Sequence, residues 1–322
     1  MRQHLLTTIR VAVSSLLIFL MVAPAAKIIS PVFPLVDISG FSEIIRNTDK
    51  GFLLLAAVFS LISAVMLAWR WKIVILNNRL SFPFLLRLTF IGMFFNNFLP
   101  TGAGGDIVKG YYLLKGREKK LDLGISIFID RLIGTLSIMT MGFVASLFFP
   151  NLPRVTVYLI VIIYISILFF LLLSAWPELG RILGKVLFFH TWGKPAESIR
   201  RFYYGLHNYL QNPRPLLQAL LVSFGCQLLI IDVNYLVALG LKAPVPLGSF
   251  FVSIPLIWSF AAVPSLGGLG VRETGYLLFF QGRMGRENAF ALALIILGFS
   301  LLNSLIGGLI YFLGGGQWQK KN

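Results

Sequence analysis

Six charged side chains stand in or beside stretches that are otherwise strongly apolar: Asp106, Lys109, Asp130, Arg131, Arg272 and Glu273. An unpaired charge at the centre of a bilayer costs at least about 2.5–3.5 kcal/mol on insertion scales. Charges kept at that cost pair with one another or bind something charged. Arginine grips phosphate through two parallel hydrogen bonds, and a helix N-terminus offers free backbone N–H groups to an anion. The cations Lys109, Arg131 and Arg272 and the anions Asp106, Asp130 and Glu273 therefore predict cross-pairing around a polar cavity. A phosphate-bearing lipid head group fits such a cavity. Asp106 and Lys109 are spaced to share one helix face. Asp130 and Arg131 are adjacent, so they cannot face each other on a helix and each needs a partner elsewhere. Asp106, Asp130 and Glu273 are also the candidates for carrying coupling protons, since desolvation favours a neutral carboxyl group. Static ion pairs that merely orient helices remain the alternative.

The elements that must hold these residues are unusual for a membrane chain. Between 94 and 112 lie Asn96, Asn97, Pro100, Thr101, Gly102, Gly104, Gly105, Asp106 and Lys109. Hydrocarbon penalises unpaired backbone groups, so irregular backbone survives there only where protein buries it or a wet cavity receives it. Pro100 ends a helix and the glycines let the chain turn. The pattern predicts a re-entrant helix–break–helix hairpin over 82–114. A second such stretch holds Pro264, Ser265, Gly267, Gly268, Gly270, Arg272 and Glu273, and predicts a hairpin over 250–281. Gly116-Arg117-Glu118 is echoed by Gly285-Arg286-Glu287; the prolines are offset by 164 residues and these triplets by 169. Interrupted segments at corresponding positions of two halves point to a transporter's binding site. The predicted substrate-binding set is Asn97, Thr101, Gly104, Gly105, Asp106, Lys109, Arg131, Ser265, Gly268, Gly270, Arg272 and Glu273. Glycines that let helices pack closely are the plainer reading of the clusters, but they leave the charges unexplained.

Composition sets the solvent. The 322 residues are 57% hydrophobic and 12% charged, with a mean hydropathy of +0.84. That excludes a soluble domain and predicts an all-α polytopic membrane protein. Spans are expected at 11–26, 51–69, 123–149, 155–176, 216–239 and 289–313. With the two hairpins this gives six spans in an inverted-topology repeat, with halves at about 51–150 and 216–313; eight spans, with every hairpin leg crossing, is the alternative. The stretch 177–215 is expected to be a cytoplasmic amphipathic linker on the inner leaflet. Ala23-Pro24-Ala25 resembles a signal-peptidase site, while Pro24 and Lys27 read as well as a span end. The net charge of +16 would suggest nucleic acid in a soluble chain. Here the basic residues fall mainly in short loops beside the spans, so they set orientation and attract anionic head groups, and no nucleic acid is expected. Arg70, Lys72, Arg79 and Arg87 read as one such cytoplasmic marker, and both termini are placed in the cytoplasm. Arg283 and Arg286 would lie outside, against the trend. The location that follows is the cytoplasmic (inner) membrane, with multiple passes.

Other chemistry finds little support. His4, His190 and His207 make no metal-ligand spacing, and Cys226 is the single cysteine. No Walker sequence or dinucleotide fingerprint is present, so no metal or cofactor is expected.

At residues 97–106, at Asp130-Arg131 and at 264–273 the chain resembles the lysylphosphatidylglycerol synthase transmembrane region, or flippase-like domain, family. The first and third stretches are specific together, and the resemblance covers nearly the whole chain. It implies an integral membrane protein of bacteria or archaea. Some members fuse this region to an aminoacyl-lipid synthase and flip the modified lipid; others accompany glycosyltransferases. The chain ends at Asn322, so the synthase activity is not carried over. The leading expectation is a flippase for an aminoacylated or anionic phospholipid, or for a polyprenyl-phosphate-linked lipid. That is translocation, not covalent catalysis. An integral membrane lipid-modifying transferase and a subunit scaffolding a glycosyltransferase are the alternatives, and a lipid-modifying enzyme is an expected partner.

Overall fold

The computed structural model describes residues 38–75, 80–98, 104–115, 120–148, 154–175, 178, 193–243, 245–260 and 271–314. The described elements are helices, and no strand occurs among the described residues. In chain order they are α1 (Ile38–Asn47), α2 (Lys50–Val74), α3 (Phe82–Phe98), α4 (Gly104–Leu114), α5 (Lys120–Phe148) and α6 (Arg154–Ala175). Then come α7 (Gly193–Leu210), α8 (Pro213–Gly240), α9 (Leu247–Phe260), α10 (Val271–Met284) and α11 (Arg286–Leu313). Four of them, α2, α5, α8 and α11, have helical stretches long and apolar enough to cross a bilayer. They expose Leu54, Leu147, Leu221 and Leu309, as helices solvated by lipid do. The protein is an all-α polytopic membrane protein. The expected span at 11–26 lies outside the described residues. The one expected at 155–176 is α6, whose described apolar stretch, Val157–Leu172, is shorter than the other four.

Between lipid-facing helices hydrophobicity drives little; small residues that let backbones approach do more. This explains the most extensive pairing, α2 with α8. The buried residues of α2 include Ala56, Ser63, Ala64 and Ala68, and those of α8 include Ala219, Ser223 and Cys226. The Cys226 thiol lies 3.6 Å from the Ser63 carbonyl oxygen. Asp49 begins α2 by accepting from the Gly51 N–H at 2.7 Å, and its own N–H donates to the Gly240 carbonyl at the end of α8.

Around this pair the packing is reciprocal. Helix α3 packs on α11, and α5 packs on α9. Each contact is closed by a glycine. A Cβ at Gly307 would run into the Phe90 carbonyl, and one at Gly142 would lie 3.0 Å from Cγ of Pro255. Pro255 sits inside α9 and cannot donate to the Phe251 carbonyl one turn back. That carbonyl oxygen would be 3.6 Å from a Cβ at position 142, so the Gly142 surface accepts the proline's irregular turn. Between α10 and α11 the chain turns at Gly285, whose φ of 84° is open to glycine.

Helix α7 lies within the stretch expected to be an amphipathic linker. Its Leu206 and Tyr209 are buried with Ile125, Ile129 and Ala219 of α5 and α8, and Phe202 stacks edge-on against Phe128 at 5.2 Å. These residues pack on α5 and α8, and residues 179–192 of the expected linker lie outside the described residues.

Candidate functional site

The site grows from the break between α3 and α4. Asn96, near the end of α3, accepts from the Gly105 N–H through its side-chain oxygen at 2.7 Å, satisfying one of the free amides of α4's first turn. A side chain at Gly105 would collide with the Gly92 carbonyl, so this pairing of α3 and α4 requires glycine. Asn97 donates to the Ser300 hydroxyl at 3.3 Å and to Ser304, fixing α3 against α11. It is buried there and acts as a brace between helices.

Asp106 stands in the first turn of α4, where a carboxylate favours the helix dipole. Its two oxygens take different cations. Oδ2 accepts from Nε of Arg131 on α5, and Oδ1 lies 3.6 Å from Nζ of Lys109, one turn along α4. Asp106 and Lys109 are 13% and 14% exposed, whereas Arg131 is 48% exposed. The group carries one negative and two positive charges and opens outward through Arg131. The Lys109 ammonium also lies 5.3 Å from the ring centre of Trp71 on α2, over its face.

Asp130 points away from its neighbour Arg131. It accepts from Nε of Arg70 on α2 at 2.7 Å, and Nη1 of Arg70 donates to the Ser223 hydroxyl of α8 at 2.8 Å. Arg70 is 4% exposed. Adjacent helical residues differ by about 100° in direction, which is why Asp130 and Arg131 serve two separate partners. Arg70 is the residue that the sequence misplaced: grouped with Lys72 as a loop-side marker, it lies inside α2, which continues to Val74. The small residues at 64 and 68, with Trp71 next in register, were the signal that the buried face ran on past position 69.

The second break is organised differently. Arg272, at the start of α10, lies 5.2 Å from the ring centre of Trp258 on α9. Glu273 is buried. Tyr276 donates to the Asn234 side-chain oxygen of α8 at 2.5 Å. Extensive packing joins α4 to α3 and α5, and α10 to α9 and α11; α4 and α10 have none between them. The anticipated single cavity lined by both charged groups involves residues outside those described. Thr101, Ser265, Gly268 and Gly270 lie outside them, and so do the hairpin tips. An open cavity of about 400 Å³ is lined by Glu43, Asn47, Lys242, Glu287 and Asn288, and it shares no residue with either group.

Comparison with known proteins agrees with this architecture. A UPF0104 membrane protein of Methanocaldococcus jannaschii is 31% identical over 103 residues, which is 30% of this chain and 31% of the relative. A UPF0104 membrane protein of Methanothermobacter thermautotrophicus is 30% identical over 93 residues, 27% of this chain and 26% of the relative. The aligned part thus spans less than a third of either relative. No solved structure matches. The model of the lysylphosphatidylglycerol synthase TM region matches residues 8–308. With a polytopic helical fold and a match over nearly its full length, the chain belongs to the lysylphosphatidylglycerol synthase TM-region family.

Proposed function

We propose that the chain moves a phosphate-bearing lipid across the cytoplasmic membrane, and that Asp106, Lys109 and Arg131 receive its head group. One observation carries this reading: Arg131 is half exposed while its partner Asp106 is tied to a second cation. The three side chains sum to one positive charge, and a phosphodiester supplies one negative charge. When the phosphate takes the planar guanidinium of Arg131, Asp106 stays paired with Lys109, so no buried charge is stranded. This is binding and release, with no covalent step.

The two broken helix pairs are read as re-entrant hairpins that dip from opposite sides of the membrane. The reciprocal packing of α3 on α11 and α5 on α9 supports two halves related by a two-fold axis. Arg272 and Glu273 would meet the lipid on the other half of its route, and Asp106, Asp130 and Glu273 are the proton carriers if movement is coupled. The family's name supports an aminoacylated or anionic phospholipid; a polyprenyl-phosphate-linked lipid shares the same chemistry. Anionic head groups are expected at the basic cytoplasmic loops. A lipid-modifying enzyme or glycosyltransferase working beside it would supply the lipid.

The test is reconstitution in liposomes with labelled lipids. Lipids carrying phosphate should cross, and a labelled glycosphingolipid without phosphate should not. Equal movement of both would overturn the head-group site.

A further inference from the structure

Two consecutive residues of α2 stand behind the charged group: one touches its cation Lys109, and the other holds Asp130, the chain neighbour of its cation Arg131. Trp71, 2% exposed, presents its ring face to the Lys109 ammonium at 5.3 Å. Its indole N–H donates to the buried Ser126 hydroxyl of α5 at 3.3 Å. Arg70 holds Asp130, the residue beside Arg131, and its second arm reaches Ser223 on α8. Gly134, one turn beyond Asp130, leaves room for this guanidinium: a Cβ there would lie 2.9 Å from Nη1. The Gly134 carbonyl accepts from the Gln227 amide at 3.2 Å, so the same turn of α5 is tied to α8 once directly and once through Arg70.

An apolar pair of similar volume would hold three helices together as well as a buried ion pair does. What the charged pair adds is one rotation of α5. A slip of α5 about its axis would break the Arg70 contact and swing Arg131 away from Asp106. On the other side, the Trp71 ring fixes the height of the Lys109 ammonium along α4.

We propose that Arg70 and Trp71 are positioning residues, which set where Arg131 and Lys109 stand for the lipid phosphate without touching it. This rests on the lipid-phosphate reading above. In that role the two residues change how tightly an anionic lipid is held, and they do so through Lys109 and Arg131 alone.

The experiment uses the full chain, purified in detergent for equilibrium retention of phosphatidylglycerol and reconstituted in phosphatidylcholine liposomes for movement of the labelled lipid. Trp71→Leu should weaken retention about tenfold, the scale of a desolvated cation–π contact. In a Lys109→Gln background the same change should add nothing further. The pair Arg70→Gln with Asp130→Asn removes both buried charges together, so it should reach the membrane at the parent level and yet retain lipid as poorly as Arg131→Gln. If Trp71→Leu fails to insert, Trp71→Phe carries the test, since it keeps a ring under Lys109 and gives up the bond to Ser126. Retention by Trp71→Phe within about threefold of the parent supports positioning. A loss as large as that of Lys109→Gln overturns it. Losses of Trp71→Leu and Lys109→Gln that multiply, or a double charge variant that binds like the parent, also overturn it while the lipid site stands. A parent that neither retains nor moves phosphatidylglycerol overturns the lipid reading itself.

Discussion

Helices α2–α5 and α8–α11 repeat one order of elements: a long span, a broken helix pair, and a second long span. Their middles are held by different chemistry. In the first unit ion pairs join the helices, Arg70 on Asp130 and Arg131 and Lys109 on Asp106. In the second, the corresponding span α8 offers Asn234, which accepts from the neutral Tyr276 hydroxyl. Both units set a cation from the broken helix over a tryptophan, Lys109 over Trp71 and Arg272 over Trp258. The shared part is thus a way of holding a cation on an aromatic face, and the part that differs is the contact made from the first long span, the Arg70 ion pair in one unit and the Asn234–Tyr276 hydrogen bond in the other. The half-exposed Arg131 makes the first unit a candidate for exchanging an anion, and the Asn234–Tyr276 bond is a neutral brace in the second.

The comparison is broken most forcefully at the exposed cation. Arg131→Gln should abolish lipid movement, a loss on the order of a hundredfold or more, while membrane expression stays near the parent level. The next effect is on stability. Arg70→Gln strands Asp130 and should destabilise by about 3–5 kcal/mol, whereas Arg70→Met with Asp130→Leu should return close to the parent. Thermal unfolding in detergent reads both. Third, Gly307→Ala forces a methyl against the Phe90 carbonyl and should cost about 1–3 kcal/mol by overpacking. Gly142→Ala meets the edge of the Pro255 ring and should cost less. In the second unit, Tyr276→Phe removes one neutral hydrogen bond and should cost about 1 kcal/mol. If it costs as much as Arg70→Gln, the contrast between the Arg70 ion pair and the Tyr276 hydrogen bond fails. The smallest effect belongs to Gly298→Ala, which meets open space within a helix and should be neutral or slightly stabilising.

Much of the helical plan was written in the sequence because hydropathy reports length directly. The spans expected at 123–149, 216–239 and 289–313 match α5, α8 and α11 closely. The need of Asp130 and Arg131 for separate partners followed from helix geometry, and the Asp106–Lys109 pair from their spacing. What the sequence hid was the partner. Arg70 reads as a loop residue because Lys72 follows it, and a span's end is judged from its first charges. Only the packing of α2 against α8 shows that this charge is buried. Trp71 and Trp258 were hidden for another reason. An aromatic residue near a membrane surface is expected on its own account, and nothing in the sequence says that its face carries a lysine or an arginine. The amphipathic face of α7 was legible, but its covering was not, since protein and lipid satisfy the same apolar stripe.

The most direct measurement compares the movement of labelled phosphatidylglycerol in liposomes by the parent and by the variant with both Asp106→Asn and Arg131→Gln. With the pair neutralised, Lys109 loses its carboxylate and keeps the Trp71 ring face, so the fold and insertion should survive. The account predicts a protein present at the parent level that no longer moves the lipid. Movement at the parent rate would contradict it, and Asp106 and Arg131 would then be a brace between α4 and α5.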